Sequence, residues 1–268
     1  MGLEGGWGLD QVIDIVMTAV LRPKIVERTI ESYVDRICKD HIDKFNLIIN
    51  IDPVGEGVSQ EEILKIAQRY FPDTIYNMPK EPSFPLALKW CWSQASTNLV
   101  LHTEDDFEIA KDLDIAHMIS IMEQYPQLAM LRLDRGTDWD NPKDDMGGPT
   151  IQRGSYKWKY NPDGFYVSPN WRGSFSTSPS LLRLDFMLGI IPFLRDGVSP
   201  ERVTMFARWL HEFYGKPGKM QLRKHLQHWK SAIYAVPLAL RDQGRPWRDA
   251  HGFKKPKGNR GIKSTWVR

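Results

Sequence analysis

The stretch Thr97-Asn98-Leu99-Val100-Leu101-His102-Thr103-Glu104-Asp105-Asp106-Phe107 decides how the rest of this sequence is read. Its first half is an apolar run of strand length, and its second half places three acids, Glu104, Asp105 and Asp106, on the turn out of that strand. Three adjacent carboxylates repel one another, so a fold that holds them at the end of a buried strand needs positive charge there, and a divalent cation meets that need. The competing reading is a solvated turn whose acids favour the N-terminus of the next helix. What the chain brings to the same place decides between them.

Upstream, Val12 to Val20 reads as a buried strand, and Leu21-Arg22-Pro23 starts a helix whose apolar positions, Ile25, Val26, Ile30, Tyr33, Val34 and Ile37, recur at helical spacing. Phe45 to Ile51 is a second buried strand ending at Asp52-Pro53, and Ser59-Gln60-Glu61-Glu62 signals a helix start for the run through Tyr70. A short strand at Thr74 to Asn77, a helix at Leu86 to Gln94 and the strand at Leu99 to His102 follow. Alternating strands and helices predict an α/β fold, a Rossmann-like, mostly parallel sheet with helices on both faces. Ligands of such sheets sit at the carboxyl ends of the strands, where Thr18 to Arg22, Asp52 and Glu104 to Asp106 all fall. Three polar clusters at one sheet edge predict a nucleotide pocket.

This pattern resembles the GT-A glycosyltransferases, especially the inverting family-two-like group. That family has a strand, a Thr and an Arg-Pro before its first helix, matched by Thr18 and Arg22-Pro23, an Asp ending the second strand, matched by Asp52, and an Asp-x-Asp metal motif, matched by Glu104-Asp105-Asp106. The resemblance covers about the first 135 residues, with Glu in place of the first Asp. It implies a nucleoside-diphosphate sugar donor, with a UDP-sugar first in line, and Mn2+ or Mg2+. It also implies that Asp52 contacts the nucleobase, Glu104 faces the donor ribose and Asp106 ligates the metal. A hard cation bridging two phosphates neutralises the charge that develops on the leaving group, and one or two carboxylates suffice to hold it.

Beyond Asp112, the apolar residues Ile115, Met118, Ile119 and Met122 read as a core helix, and Leu128 to Leu133 as a strand. Residues 136 to 170 are rich in Gly, Pro, Asp and aromatics, with Ser155 to Tyr160 alternating as a hairpin strand. This insertion is expected on the acceptor side, with Trp158, Tyr160 and Trp171 as stacking surfaces and Lys157 and Lys159 for phosphates. Cross-strand aromatic pairs that only hold a hairpin together are the alternative. Gly173 to Ser180 leads into a helix expected from Leu181 to Leu188, and another helix is expected from Pro200 to Leu210. The general base that an inverting transfer requires is Glu201 or Asp185, with Glu201 preferred; ordinary capping is the rival role for Glu201.

The C-terminal sequence is similar to an Asp-x-Gly-Arg-x-Trp element of some bacterial and phage transferases, here Asp242, Gly244, Arg245 and Trp247. Many GT-A enzymes complete the metal shell with a late His, a role that resemblance assigns to His251, and Arg245 is expected on the diphosphate. Residues 241 to 268 carry nine basic residues against Asp242 and Asp249, a net +7 in a chain of net +3, so the first 240 residues sum to −4. Such asymmetry points to phosphates or a polyanion, with Lys254 and Lys255 on the acceptor. Three segments follow: 1–135 as the nucleotide-sugar half, 136–240 as the acceptor half, and 241–268 as a basic C-terminal segment.

Cys38 and Cys91 fall inside expected helices without metal-ligand spacing, which points to free thiols in a reducing cytoplasm. No apolar run reaches membrane-spanning length, and no signal-peptide pattern or obligate protein partner is inferred. There is no dinucleotide fingerprint, phosphate loop or nucleophile elbow. The reading is therefore a metal-dependent transfer of sugar to a hydroxyl, with 5-hydroxymethylpyrimidine in phage DNA as the working acceptor and surface polysaccharide or another glycan as the alternative. A metal-dependent nucleotidyltransferase and a non-catalytic nucleic-acid-binding module are the readings from other classes.

Overall fold

The computed structural model describes residues 11–136, 146–153, 156–168, 176–205 and 210–252. Strand β1 (Ile13–Leu21) opens the fold and runs into α1 (Pro23–Tyr33), where Pro23 takes the first helical position. Strand β2 (Phe45–Gly55) leads to α2 (Gln60–Tyr70), entered through a capping box in which Ser59 and Glu62 each accept the other's backbone N–H. Next come β3 (Ile75–Asn77), α3 (Phe84–Gln94), β4 (Leu99–Glu104), β5 (Phe107–Ile109), α4 (Ile115–Gln124) and β6 (Leu128–Arg132). The second half contributes β7 (Thr150–Arg153), β8 (Tyr156–Asn161), β9 (Phe165–Val167), β10 (Ser180–Arg183), α5 (Leu184–Ile190), α6 (Pro200–Met205) and α7 (Leu210–Gln227). Strands β11 (Lys230–Tyr234) and β12 (Leu240–Asp242) and helix α8 (Gly244–Ala250) close the described chain.

Among the described residues ten strands form one sheet in the order β3-β2-β1-β4-β10-β6-β11-β9-β8-β7, and β12 pairs separately with β5. Strands β3, β2, β1, β4, β6, β11 and β8 run one way, while β10, β9 and β7 run the other. The expectation of an α/β fold with a mostly parallel sheet holds, and the three reversed strands make the sheet mixed. Alternate residues of β1, β2 and β4 feed two cores. Ile15, Met17, Ile49 and Leu101 pack with the buried faces of α1, α2 and α4. Val16, Ile48 and Val100 pack with α3, α5 and α7 through Leu88, Trp92, Phe186, Met187 and Leu222. Both faces are therefore covered, which is why these strands read as continuous apolar runs.

One expected helix is corrected. Residues 181–183, expected to open a helix from Leu181, belong instead to β10, antiparallel between β4 and β6. A short apolar run suits a strand or a buried helix equally. The slot between β4 and β6 settles it, because leaving it empty would strand two rows of backbone donors and acceptors inside the protein. The helix starts only at Leu184.

Parallel pairing sets Thr18 opposite both Asn50 on β2 and Glu104 on β4, so the carboxyl ends of three strands finish level. There β2 bulges, and Gly55, at φ +141°, packs against the Leu21 carbonyl so closely that no side chain fits. The bulge lets Glu56 N–H donate to the Leu21 carbonyl at 2.7 Å and carries the Glu56 side chain to the same edge.

Candidate active site

The acids after β4 do not sit on a solvated turn. Asp105 is 2% exposed and Asp106 is 8% exposed, and the positive charge between them is Arg22, itself 3% exposed at the end of β1. Arg22 donates from Nε and Nη2 to the two oxygens of Asp105, and from Nη1 and Nη2 to Asp106 Oδ2 at 3.2 and 3.1 Å. Asp105 is bound further into the scaffold. Its Oδ2 accepts from Val20 N–H at 3.1 Å, its N–H donates to the Thr18 carbonyl at 3.0 Å, and its carbonyl accepts from Thr29 Oγ1 of α1 at 2.7 Å. Burial opposes the Arg22 charge, and the two aspartates more than restore it, so its pKa lies above the ordinary arginine value. Asp105 is thus a structural tie.

Asp106 is different. Its Oδ2 is taken by Arg22, whereas its Oδ1 is buried with no hydrogen-bond partner among the described residues. The C-terminal element packs against it. Pairing of β12 with β5 sets Asp242 opposite Phe107, Gln243 N–H donates to the Asp106 carbonyl at 2.8 Å, and Gly244 lies against the Asp106 carboxylate. Asp242 accepts from the Gly244 and Arg245 N–H groups through Oδ1, at 2.9 and 3.1 Å. Burial, then the Asp106 charge, push the Asp242 carboxyl upward. Trp247 of α8 places its ring 5.3 Å from the Arg22 guanidinium carbon and donates Nε1–H to Glu56 Oε1 at 2.8 Å. The sheet edge and the C-terminal helix are locked through one arginine.

A buried carboxylate oxygen without a partner, beside a second carboxylate whose proton affinity it raises, fits a hard cation. Among the described residues no three His, Cys, Asp or Glu side chains form a metal cage. The protein would therefore supply Asp106, with Asp242 beside it, and leave the other positions to phosphate and water oxygens. His251, expected as a ligand, is exposed at the end of α8, with its ring stacked on Trp247 at 4.5 Å and Nδ1 bonded to the Trp247 carbonyl at 2.8 Å. Glu104 is half-buried at the end of β4, and Arg245 is half-buried in the first turn of α8.

Asp52 lies deeper, 5% exposed, accepting from Asn50 Nδ2 at 2.8 Å and from Ser83 N–H, at the start of α3, at 3.0 Å. Burial pushes its carboxyl up to about 6. Asn77 donates to Asn50 Oδ1 at 2.6 Å, so a polar ladder crosses the ends of β3 and β2.

Two arginines that sequence reasoning passed over, Arg132 and Arg135, stand at the carboxyl end of β6 around the buried Asp134. Burial pulls both guanidinium groups down to about 10, while Glu201 raises each of them, and Asp242 and Glu104 also raise Arg135. Glu201 at the start of α6 thus lies within electrostatic reach of the charged groups around the acidic edge. The signal was present in the sequence, since Arg132-Leu133-Asp134-Arg135 ends a strand by the same logic as Glu104 to Asp106. Asp185 is elsewhere. Because β10 is antiparallel, Arg183 pairs with Leu99, the amino end of β4, and Leu184 N–H bonds the Asn98 carbonyl at 3.0 Å. The exposed Asp185 therefore stands at the opposite edge of the sheet and is withdrawn as a candidate base.

Trp158 is also corrected. It is 1% exposed, packed with Ile151, Tyr166 and Ile233 under the Arg132 guanidinium at 5.7 Å, and offers no face to a ligand. Across the sheet, Arg153 of β7 donates from Nε to Oδ1 of Asp134, just past the end of β6, at 2.9 Å, so this end of the sheet curls over. Tyr160, two residues along β8, is 45% exposed. Trp171, Lys254 and Lys255 lie outside the described residues.

The sheet order, the helices on both faces and the acidic turn after β4 define a GT-A-like α/β fold, and solved structures share it. Staphylococcus aureus TarS (residue range 1–349) in complex with UDP-GlcNAc superposes at TM-score 0.54 with 8% identity, over 96% of this chain and 62% of that one. Mannosyltransferase PcManGT from Pyrobaculum calidifontis, in complex with GDP-Man and Mn2+, gives 0.51 with 9% identity, over 90% and 60%. GalNAc-T7 with UDP, GalNAc and Mn2+ gives 0.51 with 9% identity, over 84% and 42%. The chain thus spans roughly two fifths to three fifths of the lengths of these proteins, and at such identity the likeness concerns the fold. No protein-family model matches the chain, and no curated protein sequence does. Among the described residues no helix is long and apolar enough to cross a membrane.

Proposed function

We propose that this protein is a metal-dependent glycosyltransferase that moves a sugar from a nucleoside-diphosphate sugar to a hydroxyl. The observation that carries the reading is Asp106 Oδ1, buried and without a partner among the described residues, at the ligand edge of a GT-A-like sheet. A divalent cation held by Asp106 supplies charge neutralisation for the departing nucleoside diphosphate. The chain's own groups do the rest. Arg22 and Asp105 fix the Asp106 carboxylate, Thr18 anchors the turn through its backbone, and Arg245 offers a second cation toward the diphosphate. Asp52, with Asn50 bonded to it and Asn77 bonded to Asn50, forms the polar wall suited to the nucleobase, and Glu104 the wall suited to the ribose. Glu201 is the group that takes the acceptor proton, within electrostatic reach of Arg132 and Arg135 at the carboxyl end of β6. Attack from the face opposite the leaving group then inverts the anomeric centre.

The acceptor is a hydroxyl-bearing molecule, and a glycan is the broad reading. A 5-hydroxymethylpyrimidine in DNA is a second, supported by the exposed Lys157, Lys159 and Tyr160 on β8 and the basic composition of residues 241–268. It has lost the stacking face of Trp158. Incubation with a panel of nucleotide sugars and Mn2+ tests the proposal: release of the nucleoside diphosphate supports it, whereas pyrophosphate release from a nucleoside triphosphate marks a nucleotidyltransferase instead. Labelled sugar appearing in hydroxymethylated DNA or in a saccharide then decides the acceptor.

A further inference from the structure

Arg22 does more than hold two aspartates together. It occupies one oxygen of Asp106 from two of its nitrogens, and Gly244 closes the other side of that same oxygen. Oδ1 alone is left for a cation, so Asp106 can ligate only through one oxygen while Arg22 stays in place. Any cation arriving there meets a buried guanidinium bound to the same carboxylate, and like charges sharing one small carboxylate weaken each other's binding. The Trp247 ring and both oxygens of Asp105 hold Arg22 in this position. The Asp105 and Asp106 pair therefore carries a net charge near −1 toward an incoming ion in place of −2.

We infer that Arg22 is a built-in counter-cation that makes divalent-metal capture conditional on the nucleotide, so that the cation enters with the diphosphate and is held poorly without it. The inference rests on the metal-and-nucleotide reading of the site. A diphosphate brings the missing negative charge and oxygen ligands together, and by reciprocity the cation strengthens nucleotide binding by the same factor. Arg22 thus guards the site against empty metallation while keeping its carboxylates in place between turnovers.

The test is direct Mn2+ binding to the full chain by electron paramagnetic resonance, with and without UDP. Wild type, Arg22→Met and Arg22→Lys are compared after circular dichroism has shown each to be folded. UDP should tighten wild-type Mn2+ binding by a factor on the order of 10 to 100, the usual range of site coupling. Arg22→Met should bind Mn2+ alone about tenfold tighter than wild type, since a buried like charge has been removed. Arg22→Lys, which keeps one charge, should stay nearer wild type. Wild-type binding of Mn2+ that is already tight and indifferent to UDP overturns the inference without any variant, which covers the case in which Arg22→Met does not fold. Equal Mn2+ affinity in wild type and folded Arg22→Met, or in Arg22→Lys and Arg22→Met, overturns it as well. Turnover of a nucleotide sugar alongside such a result sinks the inference and leaves the transferase standing; the expected Arg22 behaviour without turnover of any nucleotide sugar does the reverse.

Discussion

Gly244 lies against the Asp106 carboxylate, and a Cβ at position 244 would overlap Asp106 Oδ2. The contact joins the acidic turn after β4 to the helix that ends the described chain, and it explains why a glycine opens α8 although its backbone needs no left-handed conformation. Gly244→Ala should push the carboxylate out of its Arg22 pair or lift α8 off the sheet edge. We expect a stability loss of about 1–3 kcal/mol, the usual scale for overpacking. Joint binding of Mn2+ and UDP should weaken at least tenfold, about 1.4 kcal/mol. Calorimetry of wild type and variant checks both. Wild-type affinity in Gly244→Ala would mean that α8 does not set the position of Asp106.

Asp106→Asn should abolish sugar transfer and remove the metal dependence of nucleotide binding, because the amide keeps the shape and loses the charge. Glu104→Asp should retain part of the activity, since its carboxylate remains at the same strand end with shorter reach. Nucleotide affinity measured with and without Mn2+ gives the answer. Full transfer by Asp106→Asn would remove this residue from the metal site.

Glu201→Gln should leave nucleotide binding intact and lower turnover by about 100-fold or more, the scale of losing a general base. Asp185→Asn should change neither quantity, because Asp185 stands at the far edge of the sheet beside Asn98. Steady-state kinetics with a nucleotide sugar separates the two. Lower thermal stability without a turnover defect in Glu201→Gln would reduce the residue to a helix-start acid.

Two buried groups should bend the pH dependence of stability in opposite directions. His102 of β4, whose Nε2 is bound to the Thr177 carbonyl at 2.9 Å, is pulled by burial to about 4 from an ordinary 6.5. Below pH 6.5 the unfolded chain takes up a proton that the folded one refuses, so this stabilisation is complete above that pH and is lost as pH falls toward 4. Asp52, raised by burial to about 6 from 3.8, acts the other way: the folded chain binds the extra proton, and stability grows as pH falls through that window. Each is worth up to about 3 kcal/mol at 1.36 kcal/mol per pKa unit. In urea titrations from pH 7 to pH 4.5, His102→Gln should therefore lose less stability than wild type and Asp52→Asn should lose more. Parallel curves for all three proteins would show that neither group titrates as its burial implies.

Much of the first half of the chain was legible because local chemistry wrote it. Buried strands on both faces left unbroken apolar runs at β1, β2 and β4, Pro23 and the Ser59–Glu62 box marked helix starts, and the acids after β4 announced a charged strand end. The likeness to UDP- and GDP-sugar-bound structures agrees with that reading at the level of the fold. What periodicity lacks is a partner. Residues 181–183 were expected in a helix because only β4 and β6, distant in the chain, show that a strand is missing there. Trp158 looked available because alternation says which residues share a face, not which face the curled sheet buries.

The same distinction runs through the site. Sequence alone determined that three acids, an Arg-Pro turn and an Asp would meet at one sheet edge, because strand order and helix handedness bring the carboxyl ends together. Only the tertiary structure divided their roles, giving Arg22 to Asp105 and one oxygen of Asp106, and leaving the other oxygen buried without a partner among the described residues. It also separated Glu201, the preferred base, from its alternative Asp185, by running β10 antiparallel and carrying Asp185 to the far end of the sheet. Charge and apolar period are properties of single positions and can be read along a chain. Which carboxylate keeps a free oxygen depends on residues 84 and more than 130 positions away, and that is decided by packing alone.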